Sequence, residues 1–385
     1  MPRLSWTIVT PILAAVALGL TWGRCPGPVV LGLVALVLVG AVLAAVHHAE
    51  VVAHRVGEPY GSLVLAVAVT VIEVALIVTL MITSDGDTAG LARDTVFAAL
   101  MITVNGIVGI SLLVGALKHH LAVFNPEGTG AALATVITLA VLCLVVPSVT
   151  TSEPGPEFTG AQLAFAAVVS LLLYGLFVFT QTIRHRDFFL PVTAEQHLPV
   201  VTSAAGSGRP ATSSGPLEHE PVDLDHDGHA DPPTGRATLA SLALLIVSLV
   251  SVVGLAKVES PAIEAGVAAL GFPAAVVGVV IAMLVLAPES IAAVRAASLN
   301  RVQVSLNLAM GSAMASIGLT IPAIAVATLF IDLPLELGLN DVQVVLLVLT
   351  AAVATLTVVP GRAKPLQGGV HLILLASFLF LTIAP

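Results

Sequence analysis

Hydrophobic residues run along most of this chain in long stretches, broken by short clusters of Gly, Pro and charge. Eleven such stretches lie at roughly 7–23, 28–46, 61–83, 94–117, 130–150, 160–183, 237–256, 268–294, 303–330, 341–359 and 367–384. Each approaches the ~20 apolar residues that a helix needs to cross a bilayer core. None shows period-2 alternation, and they are about twice the length of a barrel strand. The pattern predicts an all-α polytopic membrane protein with about eleven transmembrane helices. One long polar segment, 184–236, interrupts it. Residues 1–27 then form a leading helix, 28–183 a first five-helix unit, 184–236 a linker and 237–385 a second five-helix unit. An odd number of spans per unit makes the second unit enter the membrane from the opposite side. That is the arrangement of inverted repeats, whose sites lie near the midplane.

Composition supports this division. Only 10% of the 385 residues are charged, against roughly 25% in a soluble domain, which excludes a water-soluble enzyme of this size. The net charge of −9 offers nothing to nucleic acid. Two cysteines exclude a disulfide framework, and no Cys/His spacing resembles a zinc site. Arg3 precedes an apolar stretch as in a signal peptide, but no small-residue cleavage site follows, so the first helix is expected to be retained.

The basic residues orient the spans. The N-terminus and even-numbered loops carry eleven Lys or Arg and the odd-numbered loops three, Arg24, Arg93 and Lys257. By the positive-inside rule the N-terminus and linker are cytoplasmic and the C-terminus is outside. Of the 23 acidic residues, ten fall in outer loops and eleven in inner loops or the linker. Two remain inside hydrophobic runs: Glu73 in Val71-Ile72-Glu73-Val74, and Glu289 in Ala287-Pro288-Glu289-Ser290. An ionisable group within a span is by default a functional site. The two also occupy corresponding spans of the two units. Pro288 is expected to break its helix just before Glu289, exposing carbonyls. The next span of each unit supplies an amide, Asn105-Gly106 and Asn307 with Gly311-Ser312, whose small residues fit either a ligand shell or close helix packing. Two carboxylates with neutral oxygens suit a hard cation such as Ca²⁺. Because burial penalises the charged carboxylate, protons compete for the same oxygens.

At these residues the sequence resembles a known family. His48-Ala49-Glu50, Gly57-Glu58-Pro59-Tyr60-Gly61-Ser62-Leu63 and Val71-Ile72-Glu73-Val74 resemble the first repeat of ChaA-type calcium/proton antiporters. Ala287-Pro288-Glu289-Ser290, then Asn300-Arg301-x-Gln303-x-x-Leu306-Asn307-x-x-x-Gly311-Ser312, resemble the second. This is the cation/proton exchanger branch of the Ca²⁺:cation antiporter superfamily. The resemblance implies one helix before two inverted five-helix repeats, alternating access, and export of cytoplasmic Ca²⁺ against H⁺. It implies Glu73 and Glu289 as the cation and proton ligands, supported by Asn105, Asn307 and Ser312, with Glu58 as a gate or entry residue. Vacuolar relatives place a Gly-Asn pair shortly before each Glu, whereas Val71-Ile72 and Ala287-Pro288 stand here. Bacterial relatives are also linked with Na⁺/H⁺ and K⁺/H⁺ exchange, so a monovalent antiporter is the rival on this scaffold. A passive cation channel is a second class. An intramembrane enzyme finds no H-E-x-x-H motif, Ser/His pair or cofactor loop, so Ca²⁺ enters as transported substrate and no cofactor is expected.

The linker is rich in Pro, Gly, Ser and acid and lacks helical periodicity. Asp223, Asp225 and Asp227 match the first half of a calcium loop, D-x-D-x-D-G, but position twelve is Thr234 and Pro232-Pro233 precede it. Regulatory cation binding and a solvated acidic tether both fit. His47, His48, His119 and His120 fall at cytoplasmic helix ends, where they serve pH sensing or interface anchoring. His371, alone in the last span, reads as a structural hydrogen-bonding residue. The partners expected are the transported ions and the lipid bilayer. The oligomeric state is left open.

Overall fold

The computed structural model describes residues 5–24, 26–57, 60–83, 88–190, 233–331 and 335–385. Among them eleven helical segments follow one another: α1 Trp6–Thr21, α2 Pro28–Val56, α3 Tyr60–Thr83, α4 Leu91–His119, α5 Pro126–Val149, α6 Gly160–Arg184, α7 Gly235–Ala269, α8 Ala275–Ser298, α9 Val302–Ala327, α10 Asp341–Val358 and α11 Pro365–Ile383. The ten from α2 onward contain apolar windows long enough to cross a membrane, while α1, at 16 residues, is shorter. The protein is therefore all-α and polytopic. Its only strands among the described residues are the two-residue pairs Ala122–Val123 and Arg362–Ala363, which join the loops after α4 and α10.

Local chemistry sets the helix ends. Pro28, Pro126 and Pro365 each occupy a first turn, where their missing N–H costs nothing. Thr159 with Gln162, and Asn340 with Gln343, form capping boxes that start α6 and α10. Two helices outrun the apolar pattern. α2 continues ten residues past 46 to Val56, and α7 continues to Ala269 through Pro261. The two helices pack along one another, and the two ends of α3 meet their extensions, Gly61 against the Ala53 carbonyl and Thr83 donating to Ser260 at 3.4 Å, so tertiary contact accompanies turns that hydropathy alone would end. As a result Glu50 and Glu259 stand on helices, not in loops, and Glu259 is buried.

A further expectation is corrected at Pro288. α8 runs unbroken through it from Ala275 to Ser298. The missing donor removes one bond, to the Leu284 carbonyl, and packing of α8 against α4 and α9 holds the remaining turns in line.

The helices bury two apolar clusters. One joins α1, α2, α3 and α7 with the start of α4 and Ile324 of α9; the other joins the rest of α4 and α9 with α5, α6, α10 and α11; α8 contributes a face to each. α4 is the most enclosed, with 89% of its apolar window buried against 22% for α6 and α11. It crosses α11 at Gly368, where an added Cβ would lie 2.6 Å from the Leu113 nitrogen and 2.7 Å from the Gly109 carbonyl oxygen. The outer faces stay apolar, as at Val29, Leu356 and Phe330, which suits lipid contact.

Candidate functional site

A cavity of about 250 Å³ opens at the seam between the two clusters. Its lining comes from the N-terminal half of α3, the C-terminal end of α6, the middle of α8 and the N-terminal half of α9. The flanking ends of α3, α6 and α9 lie on the side of the chain that carries the basic loops and the linker. Glu73 and Glu289, 216 positions apart in sequence, both line it, together with Asn307, Gly311 and Ser312.

Glu73 is 2% exposed. Its Oε2 accepts from the Ser316 hydroxyl at 3.1 Å and from the Thr320 hydroxyl at 3.2 Å. Its Oε1 is buried without a hydrogen-bond partner among the described residues, as is Oε2 of Glu289. A buried acceptor left unmatched is costly, so two such oxygens on one cavity mark a place where something else completes the bonding. The Thr70 hydroxyl, one turn before Glu73, is a third orphan lining the same cavity. Other helical threonines, Thr95 and Thr103 among them, donate to the carbonyl four residues back. No three His, Cys, Asp or Glu side chains gather among the described residues. Beside the two carboxylates, Thr70, Ser312 and Asn307 bring neutral oxygens to the cavity lining.

Asn307 is held at both ends, by the Phe189 carbonyl and by Gln303. Gly311 serves the cavity, because an added Cβ there would meet nothing within 4 Å. Gly106 instead packs on α11, where an added Cβ would lie 3.0 Å from Leu375 Cδ2. Asn105 stands apart from the cavity lining. It is fully buried in a π-helical stretch of α4, Ile102–Ile107, where its Nδ2 donates to Thr350 Oγ1 at 2.9 Å and its Oδ1 meets His371 Nδ1 at 3.0 Å. His371 Nε2 meets Thr357 Oγ1 at 3.2 Å. The amide is thus committed to a polar network between α4, α10 and α11.

The histidines are dispersed. His48 Nε2 pairs with the Thr7 carbonyl at 2.9 Å and ties α2 to α1; His47 lies between its ring and that of Trp6. His119 Nε2 reaches the Ser298 carbonyl at 3.3 Å, and His120 ends α4 in a left-handed conformation, φ 65°. None of the four lines the cavity. Glu58, Asp223, Asp225 and Asp227 lie outside the described residues.

Sequence reasoning missed Thr70, Ser316 and Thr320. A signal for two of them was present: Ser312, Ser316 and Thr320 recur at i, i+4 and i+8 and place hydroxyls on one helix face.

Comparison with known proteins agrees with the fold. A Sinorhizobium fredii protein carrying the name of an ionic transporter, y4hA, is 41% identical over 383 residues, 99% of this chain and 96% of its own length. The sodium-potassium/proton antiporter ChaA of Escherichia coli is 32% identical over 377 residues, 97% of this chain and 94% of its own. The structure of YfkE, a protein described as a Ca²⁺/H⁺ antiporter, superposes with a TM-score of 0.70 at 13% identity, covering 99% of each chain. Residues 26–183 and 240–384, the two helical units on either side of the linker, match the sodium/calcium exchanger protein family; the chain belongs to that family, whose members exchange cations across membranes.

Proposed function

We propose that this protein is a cation/proton antiporter of the bacterial plasma membrane, in which Glu73 and Glu289 alternately hold a cation and protons. The observation that carries it is the meeting of two carboxylates from separate halves of the chain on one cavity, each with a buried oxygen that has no partner among the described residues. Ca²⁺ is the cation that this donor set favours. It takes six to eight hard oxygens, and the two carboxylates balance its charge while Thr70, Ser312 and Asn307 add neutral ones. The remaining positions suit water. With the basic loops and linker in the cytoplasm, the cavity is the inward-open form of the transporter. Cytoplasmic Ca²⁺ enters, the opposite side opens, and external protons displace it from the carboxylates. The neutral pair then returns. A pair that crosses only when neutralised, by cation or by protons, couples the two fluxes.

A second reading, exchange of Na⁺ or K⁺ for H⁺ on the same carboxylates, is favoured by the 32% identity to the Escherichia coli protein named as a sodium-potassium/proton antiporter. Everted membrane vesicles acidified by respiration separate the two. Ca²⁺ added outside should collapse the pH gradient, and Glu73→Gln and Glu289→Gln should each abolish the response. A response to Na⁺ or K⁺ alone would establish the monovalent reading, and exchange that survives both substitutions would dismiss the site.

A further inference from the structure

Asn307 is gripped at both ends by groups that do not line the cavity. Its Nδ2 donates to the Phe189 carbonyl at 2.6 Å, and its Oδ1 accepts from Gln303 Nε2 at 2.8 Å. Gln303, one turn earlier on α9 and 1% exposed, is itself fixed. Its Oε1 accepts the backbone N–H of Asn125 at 2.6 Å, and its Nε2 also donates to Thr129 Oγ1 at 3.3 Å. The chain of bonds begins at a backbone N–H, which can only donate, and ends at a backbone carbonyl, which can only accept. Its polarity therefore has one solution. Turning either amide over would set oxygen against oxygen and NH₂ against N–H.

This matters because of what a free amide would do beside two carboxylates. The strongest bond open to an unrestrained Asn307 is from its NH₂ group to a carboxylate oxygen, since hydrogen bonds to charged acceptors exceed neutral ones. Such a bond would cap an oxygen that a cation needs. With Gln303 and Phe189 in place, the NH₂ end is drawn to a carbonyl, and the amide oxygen keeps a second lone pair.

We propose that Gln303 is a positioning residue of the ion site, which sets the Asn307 amide so that it offers an oxygen to the cation and leaves the carboxylates uncapped. The 3₁₀ turn Arg186–Phe189, which follows α6, closes the clamp from the other end. This inference rests on the cavity being the cation site.

The test is a double-mutant cycle in everted vesicles, with exchange driven in turn by Ca²⁺, Na⁺ and K⁺. Gln303→Leu should raise the cation concentration for half-maximal exchange by about tenfold, the scale of one lost hydrogen bond, with the maximal rate changed less than about twofold. Gln303→Glu, which turns a donor into an acceptor facing Asn307 Oδ1, should raise it further. In an Asn307→Ala background Gln303→Leu should add nothing, because its effect runs through that amide. An unchanged half-maximal concentration in Gln303→Leu, or an equal rise with and without Asn307, would overturn the inference. Gln303→Met, which keeps the length of the side chain, gives the same two outcomes if the leucine variant does not accumulate. Wild-type vesicles that exchange none of the three cations would remove the cation site itself, and the positioning role with it.

Discussion

At the scale of single residues, Glu73 is divided between two tasks. One carboxylate oxygen is occupied by the Ser316 and Thr320 hydroxyls and the other has no partner among the described residues. The hydroxyls orient the group so that one oxygen is kept for the cavity. Removing either one, by Ser316→Ala or Thr320→Val, should raise the half-maximal cation concentration at fixed pH. Donors to charged acceptors are worth about 1.5–3 kcal/mol each, so rises of roughly ten- to a hundredfold are expected. Asn105 should behave differently, because its amide is spent on Thr350 and His371. His371→Leu leaves that buried amide oxygen without a partner at a cost of about 1–3 kcal/mol. A lower melting temperature in detergent with an unchanged half-maximal cation concentration is the expected result. A change in the cation concentration instead would place Asn105 in the transport cycle.

At the scale of elements, close approaches fix what the site can tolerate. The Arg186–Phe189 turn sits against α5 at Gly128, where an added Cβ would overlap the Phe188 carbonyl. Phe189 also packs edge-on against Phe177 of α6, with ring centroids 5.8 Å apart. Gly128→Ala should lift the turn and loosen the Phe189 carbonyl from Asn307. Vesicle assays should then show weaker apparent cation affinity, in the same direction as loss of Gln303. The α4–α11 crossing has the same character without touching the cavity. Gly368→Val forces backbones apart and should lower stability by about 1–3 kcal/mol, read as a fall in melting temperature.

At the scale of the whole molecule, the site lies where two apolar clusters meet, and the cavity lies toward only one end of that seam. On the opposite side Arg93 pairs with Asp94 at 2.9 Å and reaches Glu336 at 3.3 Å, joining α4 to the loop before α10. These side chains line a separate cavity of about 450 Å³ that includes neither Glu73 nor Glu289, so access to the two carboxylates should be one-sided in this conformation. With Cys25 and Cys143 replaced, Ser312→Cys should react with a membrane-impermeant thiol reagent in everted vesicles and resist it in right-side-out ones. Equal labelling from both sides would contradict a closed opposite face.

Much of this was legible in the sequence because the bilayer leaves few solutions. A chain with 10% charge and eleven apolar runs has no other way to satisfy its backbone than as helices. A carboxylate in such a run is too costly to be incidental, so Glu73 and Glu289 could be singled out without coordinates. Hydropathy could not say how far α2 and α7 continue, because their later turns lean on the two ends of α3, Ala53 at Gly61 and Ser260 at Thr83. Nor could proline chemistry alone say whether Pro288 breaks α8, since the answer depends on neighbours that keep the helix straight. The two amides, alike in sequence, were separated only by folding: Asn307 lines the cavity, while Asn105 is sequestered by partners 245 and 266 residues away. Sequence determined which groups are expensive to bury. Tertiary structure decided which of them found partners within the protein and which were left facing the cavity.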